Sequence, residues 1–239
     1  MKAAAEYSSD VQTPEQTRST AESRPARTFA AYPGWLKAGF CVCVVIAVAV
    51  VIRRMIVLSS VSSVGGPPEM SNLDAWFKSH AVLTWVHITA ALAFVLLLPI
   101  IFRLRPEKAG TLQSAFFVLG AITGATAYGM SRYAVGGWLE RSAVLVFDTL
   151  FLLSLAKAYQ RWREGDAIGR RIWMTRAVAV LLGIASTRPV MAVFFATERL
   201  THLTTSQFFG IAFWIGFSIN TIVIELWLRS VIKRSNVLS

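Results

Sequence analysis

The chain has 239 residues, of which 55% are hydrophobic and 15% charged, against about 25% charged in average soluble proteins. Its apolar runs are long and recurrent, which excludes a soluble globular domain and leaves a membrane protein. The net charge of +11 does not indicate nucleic acid: the basic residues sit mainly at the ends of apolar runs, no recognition motif is present, and attraction to anionic lipid headgroups accounts for the excess.

Residues 1–33 carry Ala, Ser, Thr, Glu and Arg without apolar periodicity and read as a disordered tail. The first apolar core starts near residue 38 and no small-residue cleavage site follows a short core, so the first span, about 35–57, reads as an uncleaved anchor. Trp35 and Lys37 mark one edge, and Arg53 and Arg54 snorkel to the other surface. Cys41 and Cys43, two residues apart on a helix, point in nearly opposite directions and cannot pair with each other. Gly65-Gly66-Pro67-Pro68 stops a helix, and 72–78 is expected to form a short interfacial helix with Trp76 and Phe77 at headgroup level.

The further spans are expected at about 80–102, 113–131, 139–160, 173–195 and 207–228, each near the roughly 20 residues that cross a bilayer. Six spans put both termini on one side. With the N-terminus inside, 17 of the 24 Lys and Arg fall on the cytoplasmic side and 6 on the outer side, which orients the bundle N-in and C-in.

Span two carries His80 and His87 on one helix face, about 10 Å apart along the axis. His87 reads either as a hydrogen-bonded interior histidine or as a ligand or proton carrier. A membrane haem commonly takes two axial His from different helices; these two share one helix, and the third His, His202, is in the last outer loop, so haem has only weak support. In span three Gly120, Gly124 and Tyr128 share a face. The GxxxG pair serves either packing within the chain or contact with a second copy or a membrane complex.

Span four places Asp148 near mid-bilayer, with Arg141 seven residues earlier on the same face. Span five carries Arg188 inside its apolar run, followed by Pro189, which deprives the Ala185 carbonyl of its helical donor. A charge in lipid costs several kcal/mol, so Arg188 faces a partner, a cavity or water. Asp148 and Arg188 lie at depths that allow contact if spans four and five are neighbours, either as a fixed lock or as a pair that opens to a ligand or proton. Span six aligns Trp214, Ser218, Thr221 and Glu225, with Asn220 on nearly the opposite face; Glu225 reads as an interfacial carboxylate, solvated or paired with Arg. No nucleophile–base pair, phosphate loop or metal box of known spacing is present, so the sequence offers no catalytic constellation and no metal ligand set.

Three stretches covering about residues 80–228 carry a family resemblance: HITAALAFVLLLP with His87; RRIWMTR and the later STRP, where Trp173, Met174, Arg176 and Arg188 match; and WIGFSINTIVIELW, where Trp214, Asn220 and Glu225 match. The pattern resembles a bacterial membrane-protein family known as domain of unknown function twenty-three zero six, which has no assigned activity. It departs from that pattern in having Arg170 where the family has His, and in lacking a second His around 108–110. If those histidines bind metal or haem in relatives, this chain lacks that site. The resemblance implies the bacterial inner (cytoplasmic) membrane.

The reading is therefore an all-α polytopic bundle of six transmembrane helices over residues 34–232, with short cytoplasmic tails at 1–33 and 233–239. Its candidate ligand or proton site is His87, Asp148 and Arg188, with His80, Arg176, Asn220 and Glu225 as secondary polar positions. The expected function is binding or passage of a small ligand or proton. The alternatives are a haem-linked electron carrier and a structural or assembly subunit of a membrane complex.

Overall fold

The computed structural model describes residues 32–59, 78–103, 110–197, 202 and 204–237. The expected tail up to residue 31, the Gly-Gly-Pro-Pro stop and residues 72–77 of the expected interfacial helix lie outside them. Six long helices organise the described residues, with no strand among these: α1 (Gly34–Ser59), α2 (Ala81–Arg103), α3 (Gly110–Ser131), α4 (Gly137–Arg163), α5 (Ala167–Ala196) and α6 (Thr205–Val237). Each contains a stretch long and apolar enough to cross a membrane, as a multi-pass membrane protein requires.

Two helices exceed their expected bounds by more than three residues at one end. α5 begins at Ala167 because the Asp166 carboxylate accepts the Gly169 N–H at 2.8 Å and caps the charged first turn. α6 runs on to Val237, through residues 233–237 that were expected in the tail, and Ile224, Leu228 and Val231 give this extension a buried stripe. The α3–α4 and α4–α5 connections are short enough to make neighbours antiparallel. Their glycines, Gly137 at φ +61 and Gly165 at φ +76, take the left-handed backbone that other residues resist.

The main packing contacts run from α1 to α2, α3, α4 and α5 in turn and return from α5 to α1, while α6 packs against α4 and α5. Five helices thus form a ring, and α6 braces one side of it. Towards the α3 N-terminus the ring is filled by aromatic side chains: Phe94 of α2 stacks on Phe116 of α3 at 4.1 Å and meets the edge of Phe151 of α4 at 5.6 Å. Gly120 faces Phe94 and Leu155, and Gly124 faces Leu152, so the GxxxG face makes its close approach to α2 and α4 within the chain. The α5–α6 seam brings backbone as close, with Gly183 against Phe217 and Gly216 against Thr187. α1 is the peripheral member: Val57 is its one buried residue, while Val42, Val45 and Ile52 point outward as a lipid-facing surface would.

Candidate functional site

The ring encloses a cavity of about 260 Å³. It reaches along α2 from His80 to Val95, about 20 Å at 1.5 Å per residue. Its polar lining gathers where α2 and α4 begin and α3 and α5 end; Val95, Phe151 and Val180 make the far end apolar. α1 contributes Val44, Val48, Val51 and Arg54, closing the wall between α2 and α5.

The three residues of the expected site all line this cavity. His87 is held by α3: its Nδ1 lies 2.9 Å from Thr126 Oγ1 and 3.2 Å from the Thr123 carbonyl oxygen. The Thr126 hydroxyl donates its own proton to the Ile122 carbonyl at 2.7 Å, so towards His87 it accepts. Both partners of Nδ1 are therefore acceptors, Nδ1 carries the proton, and Nε2 is left as the lone-pair nitrogen. Nε2 makes no hydrogen bond among the described residues.

Asp148 is buried, and its Oδ2 has no hydrogen-bond partner among the described residues. Among the described residues, Arg188 leaves Nε without a partner and reaches Met191 Sδ, at 4.0 Å, through its Nη1. α4 and α5 are neighbours, as contact between Asp148 and Arg188 required, but no ion pair joins the two. Glu140 is the carboxylate whose field acts on Arg188, without a direct ion pair among the described residues, and its Oε2 accepts the Gly136 N–H at 2.6 Å. Glu140 sits two helical turns from Asp148, about 12 Å along α4, so one guanidinium cannot serve both carboxylates.

Sequence reasoning missed Glu140, although the signal was there: Glu140, Val144, Phe147, Asp148 and Phe151 all line the cavity and form one α4 stripe. Arg141, expected on the Asp148 face, is exposed and lies 5.7 Å over the Trp138 ring. The anchors of His87, Thr123 and Thr126, were missed as well, because sequence alone does not show which α3 face meets α2.

The secondary positions divide. His80 lines the cavity, its ring 3.9 Å from that of Tyr133. The other three lie outside it and tie α5 to α6. Arg176 donates to both Glu225 oxygens, at 2.9 and 3.2 Å, and lies 4.5 Å over the Trp173 ring. Arg229 also donates to Glu225, at 3.1 Å. Asn220 accepts from the Ser186 hydroxyl at 2.7 Å and donates to the Ala179 carbonyl at 3.4 Å. Arg170, where the resembled family has His, donates to Gln113 of α3 at 2.7 Å.

The cavity offers a lone-pair nitrogen, an unpartnered carboxylate oxygen, an unpartnered guanidinium N–H and an apolar floor. That set suits hydrogen bonding and charge recognition of a small guest. It does not suit a haem held by two imidazoles from opposite sides, because His80, in the turn that opens α2, and His87 belong to one continuous segment, about 10 Å apart along it. Among the described residues, no three His, Cys, Asp or Glu side chains converge as metal ligands would. Comparison of the chain with protein-family models, with curated proteins and with solved structures finds no match.

Proposed function

We propose that this chain is a bacterial inner-membrane protein, with both termini cytoplasmic, that binds or passes a small ligand or proton at His87, Asp148 and Arg188. The observation that carries the reading is one cavity in which all three stand together with Asp148 Oδ2 and Arg188 Nε unpartnered. Buried polar groups are ordinarily satisfied, and charges within membrane spans mark pathways and binding sites more often than plain packing. In the proposed orientation the polar end of the cavity faces outward. The family likeness, carried by Trp173, Met174, Arg176, Arg188, Trp214, Asn220 and Glu225, belongs to the same proposal.

The test is chemical access to His87. A water-soluble imidazole reagent added from outside to proteoliposomes of known orientation is expected to modify His87 at Nε2, with exposed His202 as the positive control. An unreactive His87 beside a modified His202 overturns the reading. The structural-subunit alternative draws on Arg176–Glu225 and Ser186–Asn220, which join α5 to α6 away from the cavity. It would be favoured if neutralising Asp148 and Arg188 together left function intact.

A further inference from the structure

The cavity's charges do not cancel residue by residue. Glu140 is the carboxylate whose field acts on Arg188, without a direct ion pair among the described residues, and its Oε2 accepts the Gly136 N–H. Arg54, from α1, is engaged with other groups of the chain. Asp148 is different: at 8% exposure it lines the cavity, and Oδ2 meets neither a donor nor a cation among the described residues. The groups that share the cavity with it are His80 and His87 on α2, Tyr133 in the turn, Glu140 on its own helix and Arg188 on α5; α3 and α6 present no ionisable side chain there.

Its surroundings are aromatic. Phe147 and Phe151 flank Asp148 on the α4 stripe, and Phe213 and Phe217 enter from α6, with the Phe147 and Phe217 rings 5.2 Å apart. A carboxylate in a cavity lined by aromatic rings is the combination that recognises an organic ammonium: the carboxylate supplies charge and an acceptor, and the ring quadrupoles attract the cation's substituents. An anion seated at Arg188 would instead meet the fields of both Asp148 and Glu140.

We infer that the cavity takes a small lipophilic ammonium, its N–H donating to Asp148 Oδ2 and its apolar substituents lying among Phe147, Phe151, Phe213 and Phe217. Arg188 Nε remains to donate to a neutral acceptor on the same molecule. The weakly packed α1 forms one wall, which suits entry from the bilayer by a guest with apolar substituents. The inference rests on the reading of this cavity as a ligand site and adds the ligand's charge and class.

The experiment is equilibrium binding of radiolabelled N,N-dimethylbenzylammonium to the purified full chain in nanodiscs. The competitors are isobutylbenzene, its neutral isostere, and phenylacetate, an anion of similar shape. Saturable binding is expected, with little displacement by either competitor. Asp148→Asn should weaken it by about tenfold or more, as loss of a hydrogen bond to a charged group does, and Asp148→Glu should restore most of the affinity. Phe213→Leu, which leaves the carboxylate in place, should also weaken binding and serves if Asp148→Asn fails to fold. Unchanged affinity in Asp148→Asn, or equal competition by isobutylbenzene, overturns the inference. Saturable binding of phenylacetate or isobutylbenzene without the ammonium overturns it but leaves the cavity a ligand site. Binding of none of the three overturns it, and the His87 reagent then decides the broader reading.

Discussion

Gly216→Ala tests the seam that positions Arg188. A methyl group at Gly216 would lie 2.6 Å from the Thr187 backbone nitrogen, 2.7 Å from its Cγ2 and 2.8 Å from its Cα. Ordinary contact begins near 3.4 Å, so α5 and α6 must separate by about 0.8 Å at that point. Thr187 cannot swing away: two of the three clashing atoms are backbone, the residue is fully buried, and its hydroxyl donates to the Ile184 carbonyl at 2.7 Å. Overpacking of a tight core costs about 1–3 kcal/mol, and a helical Gly→Ala change recovers about 0.5–1 kcal/mol of that. The expected net loss is about 0.5–2 kcal/mol, read by reversible unfolding in mixed detergent micelles followed by tryptophan fluorescence. Gly39→Ala, which meets nothing within 4 Å, is the control and should be neutral or slightly stabilising. A Gly216→Ala protein that unfolds with the wild type would refute the close approach of α5 and α6. Because Arg188 follows Thr187 directly, the same shift should misplace its guanidinium and weaken any ligand bound there.

Two further predictions concern the charges. In double-mutant cycles, Glu140→Gln with Arg188→Gln should couple by about 0.5–3 kcal/mol, while Asp148→Asn with Arg188→Gln should be additive to within about 0.5 kcal/mol; the reverse order would show that the arginine pairs with Asp148 after all. Arg176→Gln and Glu225→Gln should couple by about 0.5–2 kcal/mol in the same unfolding assay, and Arg176→Lys should recover only part of the loss, because a single ammonium cannot reproduce two parallel N–H donors. Full rescue by Lys would mean that the two-pronged geometry contributes nothing.

What was legible in the sequence followed from one-dimensional signals. Runs of apolar residues near bilayer length placed the six helices, and the energetic cost of charge in lipid singled out Asp148 and Arg188. Depth along a helix is also a one-dimensional quantity, and it placed both residues where contact was feasible. It did not settle which carboxylate Arg188 faces. A long arginine side chain spans more than one turn of a neighbouring helix, and Glu140 and Asp148 share one stripe of α4, so depth alone leaves both as candidates. The ends of α5 and α6 were underestimated for a different reason. Charged turns such as 167–172 break the apolar run without breaking the helix, once Asp166 caps it and buried Val231 gives α6 a contact. The Gly120/Gly124 pair announced close packing, but only the three-dimensional arrangement shows α2 and α4 as its partners.

The pattern of satisfied and unsatisfied polar groups weighs against locking as the whole purpose of the intramembrane charges. Where this bundle uses polar residues to join helices, it completes the bonds: Arg176 meets both oxygens of Glu225, Asn220 uses its oxygen and its nitrogen, and Arg170 reaches Gln113. Among the described residues, the two buried side-chain atoms left without a partner are Asp148 Oδ2 and Arg188 Nε, and both belong to residues that line the same cavity. A lock built from these two would gain most by closing them on each other, since an unsatisfied buried charge is the costly outcome. The fold instead tethers Glu140 to the α3–α4 turn and leaves Asp148 open in a cavity lined by phenylalanines. A cost kept at one place in a bundle that elsewhere, among the described residues, satisfies its polar groups is what the proposed ligand site would require.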